Sequence, residues 1–142
     1  MSWYKIKINL TAKLYSVYRR MLTRPEDSRA YGICTFKITR KCELRNGYWD
    51  WKYQMEVAHF YRRNIFSVTY NDMNVDPACR RCHKWMDTHK TEHEAFKLEQ
   101  LGQRDFDKLL IASQILVRKS DQRIKETALR EWLRGEIKKL EQ

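Results

Sequence analysis

Leu10, Leu14, Val17, Tyr18 and Met21 recur at steps of three and four residues. That spacing lines one face of a helix, so it predicts an amphipathic helix over about Thr11 to Leu22. Arg24-Pro25 closes it, because proline crowds the residue before it out of helical geometry. From Tyr31 to Tyr70 the helical period disappears, and β-branched and aromatic residues dominate. Arg45-Asn46-Gly47 marks a tight turn in this region. Gln54–Phe60 alternates loosely and reads as a strand, and Phe66–Tyr70 is a second short strand. Asn71-Asp72 opens a turn into Asn74-Val75-Asp76-Pro77.

From Cys79 the pattern becomes helical and charged. Thr91, Glu92, His93 and Glu94 form a T-x-x-E capping box. The helix it opens buries Ala95, Phe96 and Leu98 and ends at Gly102. Phe106, Leu109, Leu110 and Ser113 begin another helix. The last runs from about Asp121, with Ile124, Ala128, Leu129, Trp132, Leu133, Ile137 and Leu140 on one stripe. These three helices read as core and scaffold.

Composition narrows the class. A chain of 142 residues is one domain in length, and 42% hydrophobic residues supply a core, which argues against general disorder. Apolar runs of only a few residues exclude a membrane-spanning helix. The opening MSWYKIKINL lacks the unbroken apolar stretch of a secretory signal, so a cytoplasmic location is expected. The net charge of +11 is unevenly spread. Residues 1–70 hold 14 basic and 5 acidic side chains, and residues 71–142 hold 15 and 13. The basic half interleaves Trp3, Tyr4, Tyr15, Tyr18, Tyr31, Trp49, Trp51, Tyr53, Phe60 and Tyr61. Such a surface suits a polyphosphate partner, since each neutralised phosphate releases counterions. The bland alternative is a solvated basic face, or one that docks an acidic protein.

The chemistry-bearing residues cluster between positions 56 and 84. His59 stands near a strand end, Asn74 follows after fourteen intervening residues, and His83 after eight more, directly behind a C-x-x-C pair. Singly, His59 reads as a satisfied or exposed histidine, Asn74 as a turn residue, and His83 as a surface residue or a ligand beside Cys82. Jointly, the trio resembles the HNH (ββα-metal) nuclease signature. The chain is closer still to the NinG/Rap type of phage recombination endonuclease. That similarity is carried by A-H-F-Y-R-R at 58–63 and N-V-D-P-A-C-R-R-C-H at 74–83, and by H-E-A-F-K-L-E-Q-L-G-Q-R-D-F-D-K-L-L at 93–110. The opening K-L-Y-S-V-Y-R-R and Y-G-I-C fit as well.

The resemblance implies an α+β fold: a small ββα-metal core with zinc knuckles, flanked by an N-terminal helix and C-terminal helices. Residues 1–30 would be the helical entry, 31–90 the core and 91–142 the helical tail of one domain spanning 1–142. It implies a phage protein acting in the host cytoplasm on branched or junction DNA, working as a monomer or as a dimer that cuts two strands symmetrically. His59 would be the general base, Asn74 the brace of the loop that orients it, and His83 a ligand of a catalytic Mg²⁺ or Mn²⁺. Arg62, Arg63, Arg80 and Arg81 would clamp phosphates. Ala58 stands where many HNH sequences carry Asp, so a second cation ligand must come from elsewhere. Asp87, one turn past His83, is the first choice; Glu56, His89 and His93 are the others. The same Ala58 admits a second reading, a catalytically inactive, zinc-stabilised nucleic-acid-binding module.

Cys79 and Cys82 have zinc-knuckle spacing, and Cys34 with Cys42 brings the thiols to the four that tetrahedral Zn²⁺ requires. In the resembled family the first knuckle is a second C-x-x-C. Here Lys37 occupies the place of its second cysteine, and Cys42 would reach back across a hairpin at Thr35–Lys41. Unpaired buried thiols, or a disulfide in an exported chain, are the alternatives.

Overall fold

The computed structural model describes the backbone of residues 3–142 and side chains from Leu10 onward; Trp3 and Tyr4 of the basic, aromatic half lie outside the described side chains. The chain opens with helix α1 (Trp3–Met21), strand β1 (Tyr31–Ile33), helix α2 (Arg40–Leu44) and strands β2 (Tyr48–Asp50) and β3 (Met55–His59). Helix α3 (Phe66–Thr69) and strand β4 (Val75–Cys79) follow, and helices α4 (Arg80–Thr88), α5 (Lys90–Ser113) and α6 (Lys119–Glu141) complete it. This is a mixed α+β architecture with two small antiparallel sheets, β1–β2 and β3–β4. Among the described residues, no helix is long and apolar enough to cross a membrane.

The β3–β4 pair separates two cores. On one side, the four cysteines, Phe36, Trp49, Met55, Ala58, Ala78 and Met86 pack together. On the other, Tyr15 of α1 and Leu133 of α6 close over Val57 and Val75. The Tyr15 hydroxyl donates to Asp72 Oδ1 at 2.6 Å, which ties α1 to the turn before β4. Arg24 and Arg29 donate to the carbonyls of Leu140, Glu141 and Gln142, so the segment after α1 caps the open end of α6.

Several local expectations change. The stretch 74–77, read as a turn, leads into β4, with Val57 opposite Pro77 and His59 opposite Val75. Proline is tolerated because Phe60 N bonds to Asn74 O, which by antiparallel alternation makes Val57–Pro77 a non-hydrogen-bonded pair. Phe66–Tyr70, read as a strand, is instead the single turn α3 with Tyr70 as its C-cap. Arg45-Asn46-Gly47 turns the chain, but as the C-cap of α2 rather than as a hairpin. Asn46 N bonds to Glu43 O and Gly47 N to Cys42 O, with positive φ at both Asn46 and Gly47. That is a Schellman pattern, which favours residues that accept left-handed geometry.

The helices also shift. α1 begins at Trp3, ahead of the expected Thr11. α5 begins after His89 with no side-chain cap, so Thr91 and Glu94 lie inside its first turns and form no capping box. Gly102, at φ 76° and ψ 163°, joins two helical segments of α5 that continue to Ser113. The stripe of α6 splits. Leu133 is fully buried, while Trp132 and Ile124 are exposed.

α5 is fastened to β4 by a buried network. Lys97 Nζ lies 3.0 Å from Asp76 Oδ2, and Gln100 Nε2 donates to Asp76 Oδ1 at 2.8 Å. Beside it His93 is completely buried between Phe36 and Phe60, and neither ring nitrogen has a partner. Burial pushes its pKa down to about 4, against the opposing pull of Asp76 and with Lys97 adding to the depression. The unfolded chain, with an ordinary histidine, therefore binds this proton first as pH falls. The stability is intact above about pH 6.5 and is lost toward pH 4. Comparing urea midpoints of the parent with His93→Leu should show that the substitution removes about 2 kcal/mol of the parent's stability loss between pH 7 and pH 5. Equal losses in both proteins would contradict this.

Candidate active site and thiolate cluster

The four cysteines converge from three places. Cys34 follows β1, Cys42 sits on α2, and Cys79 and Cys82 flank the start of α4. Between Cys34 and Cys42 the chain forms a turn and the short helix α2, not the expected hairpin; Lys37 takes a left-handed φ of 51° there. All four residues are fully buried, and their sulfurs lie within 4.8 Å of one another. Tetrahedral zinc–thiolate bonds of about 2.3 Å place sulfurs about 3.8 Å apart, so a metal ion such as zinc fits this set with little movement. Donors already face the sulfurs. Ile38 N lies 3.4 Å and Thr39 N 3.5 Å from Cys82 Sγ, Cys82 N 3.4 Å from Cys79 Sγ, and Trp49 Nε1 3.3 Å from Cys42 Sγ. Hydrogen bonds from Cys34 and Cys79, then from Thr39, hold Cys82 well below the usual thiol range. Burial pushes Cys42 up to about 12.

Across the β3–β4 pair, His59 ends β3 and turns toward α1. Its Nε2 lies 2.9 Å from the Thr69 carbonyl oxygen. A carbonyl only accepts, so the proton sits on Nε2 and leaves Nδ1 as a free acceptor. Nδ1 is buried and has no partner. Burial pushes the His59 pKa down to about 4, with the Thr69 bond opposing and Arg63, His83 and Asp87 contributing smaller effects. At neutral pH the ring is a neutral base of fixed tautomer.

Asn74 holds the loop that delivers Thr69. Fully buried just before β4, it accepts from Tyr61 N at 2.7 Å and donates to the carbonyls of Tyr61 and Val68, each at 3.1 Å. One amide thus braces both ends of residues 61–68. Asn74→Ala should strand these backbone groups and cost roughly 2–4 kcal/mol, read as a lower melting temperature with chemical-shift changes centred on residues 60–70. Unchanged stability would deny Asn74 this bracing role.

His83 lies on the first turns of α4. Glu56 Oε1 is 3.0 Å from its Nδ1, and Asp87 Oδ2 is 3.3 Å from its Nε2. The helical step from 83 to 87 brings Asp87 to the ring, as its spacing predicts. Ala58 is fully buried in the core that also holds Ala78 and Met86, and its methyl group offers no ligand atom. His89 stacks on Trp85 at 3.8 Å and contacts Trp85 O, and His93 is buried elsewhere, so neither joins His83.

The four arginines do not form one clamp. Arg63 lines a cleft of about 740 Å³ that His59 also lines, with Lys13, Asn64, Phe66 and Tyr70 on its walls. Arg81 lines a separate groove with Arg40, Lys41 and Lys84. Arg80 approaches Glu56 at 3.6 Å, and Arg62 is exposed. Sequence reasoning missed Lys13 and Tyr70 as cleft residues, because helix–loop packing brings them there. It also missed the Thr69 carbonyl, a backbone group with no side-chain signature. No protein-family model matches the chain, and no curated protein or solved structure does so.

Proposed function

We propose that the chain is a metal-dependent endonuclease of the HNH type that hydrolyses phosphodiester bonds in branched or junction DNA. The observation that carries this reading is His59: a neutral ring whose proton is fixed on Nε2 by Thr69 and whose buried Nδ1 has no partner, on the wall of a cleft that Arg63 and Lys13 also line. The order of elements supports it. His59 ends one strand, Asn74 precedes its antiparallel partner, and His83 rides the helix that follows. In the proposed step DNA binding brings a water to the buried His59 Nδ1, which removes its proton as the water oxygen attacks phosphorus. The phosphorus–oxygen bond to the leaving sugar breaks, and the leaving oxygen takes up a proton from solvent.

His83 and Asp87 fit a divalent cation, offering a nitrogen and a carboxylate oxygen on adjacent turns. Mg²⁺ or Mn²⁺ held there would supply Lewis-acid stabilisation of the phosphate's developing charge. Arg63 and Lys13 would neutralise flanking phosphates. The thiolate cluster would hold structural zinc and fix α4 against the β3–β4 pair.

Ala58, which supplies no ligand atom where many HNH sequences carry Asp, favours one alternative: a zinc-stabilised nucleic-acid-binding module without catalysis. Labelled four-way junction, flap, single-stranded and duplex DNA, each incubated with Mg²⁺, Mn²⁺ or EDTA, separates the two. Metal-dependent cutting that is strongest on branched forms supports the nuclease. Salt-sensitive binding with no cutting in any metal supports the module.

A further inference from the structure

We propose that Glu56 is a positioning residue that holds His83 in its Nδ1–H form, so that Nε2 and Asp87 together face a divalent cation. For the cation's purpose this rests on the nuclease reading; the hydrogen-bond geometry stands apart from it. Glu56 Oε1 lies 3.0 Å from Nδ1 in hydrogen-bond geometry, whereas Asp87 Oδ2, 3.3 Å from Nε2, makes no hydrogen bond to the ring; a carboxylate oxygen accepts, which places the proton of the neutral ring on Nδ1. Nε2 is then a lone pair facing the Asp87 carboxylate at 3.3 Å. Two acceptors at that distance repel unless a second proton or a cation is shared between them, and a divalent cation takes that place in this proposal.

The two carboxylates grip opposite edges of one ring, so they cannot both join His83 on a single ion. Their surroundings assign the roles. The second oxygen of Glu56 is 3.6 Å from Arg80 Nε, so Glu56 is pinned to the first turn of α4 at both Arg80 and His83. Among the described residues Asp87 has no ion-pair partner other than His83, and it is half exposed. Arg80, expected to clamp phosphate, becomes the buttress of Glu56. A carboxylate behind a ligating histidine fixes ring orientation and raises ligand basicity, and its loss typically weakens metal binding about 10- to 100-fold.

The test is imidazole ¹⁵N NMR of the full chain at pH 7.5, for the parent, Glu56→Ala and Glu56→Gln, followed by calorimetric titration with Mn²⁺. Glu56 is partly exposed, so neither variant empties the core; amide spectra check the fold. The parent should show His83 as a single Nδ1–H tautomer. Glu56→Ala should mix the tautomers and weaken Mn²⁺ about 10- to 100-fold. Glu56→Gln, which keeps an acceptor oxygen, should restore the tautomer and most of the affinity. An Nε2–H or doubly protonated ring in the parent overturns the proposal. So does a parent that binds no Mn²⁺, an alanine variant identical to the parent, or a glutamine variant as weak as alanine, which would make Glu56 itself a ligand. A parent that binds Mn²⁺ through this tautomer yet cuts no DNA sinks the nuclease reading alone.

Discussion

His59→Ala should lower metal-dependent DNA cleavage by about 10²- to 10⁴-fold, the usual contribution of a positioned general base. Binding to the same DNA should change little, because the phosphate-facing charges Lys13 and Arg63 remain. The fold should survive as well, since the lost hydrogen bond to Thr69 is worth only about 1 kcal/mol. The contrast is therefore large in rate and small in affinity, with initial rates read on the best-cut junction and affinity by fluorescence anisotropy in EDTA. Residual cutting equal to the parent's would remove His59 from catalysis. A matched loss of binding and rate would recast it as a contact residue. Thr69 contributes only a carbonyl, so side-chain substitutions at 69 that fold normally should leave the rate largely intact.

Stripping metal from the thiolate cluster is the second large effect. Structural zinc in small domains contributes about 10–16 kcal/mol of apparent binding energy, whereas whole domains are stable by about 5–15 kcal/mol. With Cys34, Cys42, Cys79 and Cys82 at the centre of the larger core, chelation should unfold residues 31–90 and not merely loosen them. Elemental analysis should find one zinc per chain. Chelation should abolish the cooperative thermal transition and shift the emission of Trp49, whose Nε1 faces Cys42 Sγ. Cys79→Ser should behave like the chelated parent. A metal-free protein that melts cooperatively, indifferent to chelator, would show that the cluster is a packed set of thiols.

Some contacts of the candidate site were legible in the sequence. Asn74 was legible as a loop brace because a side-chain amide both donates and accepts, as it does toward Tyr61 and Val68. The i,i+4 step to Asp87 followed from helix geometry alone. The strand at 75–79 was hidden by Asp76 and Pro77, whose turn preference loses to a one-sided pairing and a buried ion pair with Lys97. Phe66–Tyr70 has the composition of a strand, yet α3 curls to present the Val68 and Thr69 carbonyls to Asn74 and His59. Such backbone groups leave no trace in residue types. Cys42 in place of a nearer second cysteine was legible as a cysteine; that a one-turn helix closed by Asn46 and Gly47 would return it to the cluster was not.

Cys79 ends β4, caps α4 by accepting from Cys82 N, and contributes a sulfur to the cluster. No slack therefore separates the sulfur site from His83, and their relation is one of angular phase. Each residue advances a helix by about 100°. Cys82 and Met86 point into the core, and His83 and Asp87 stand one step around. A single residue inserted between Cys82 and His83 would preserve every sulfur yet swing the imidazole and Asp87 together about 100° off Glu56. The run C-x-x-C-H thus works as a dial with one setting: length changes that a surface loop absorbs are forbidden between 79 and 87.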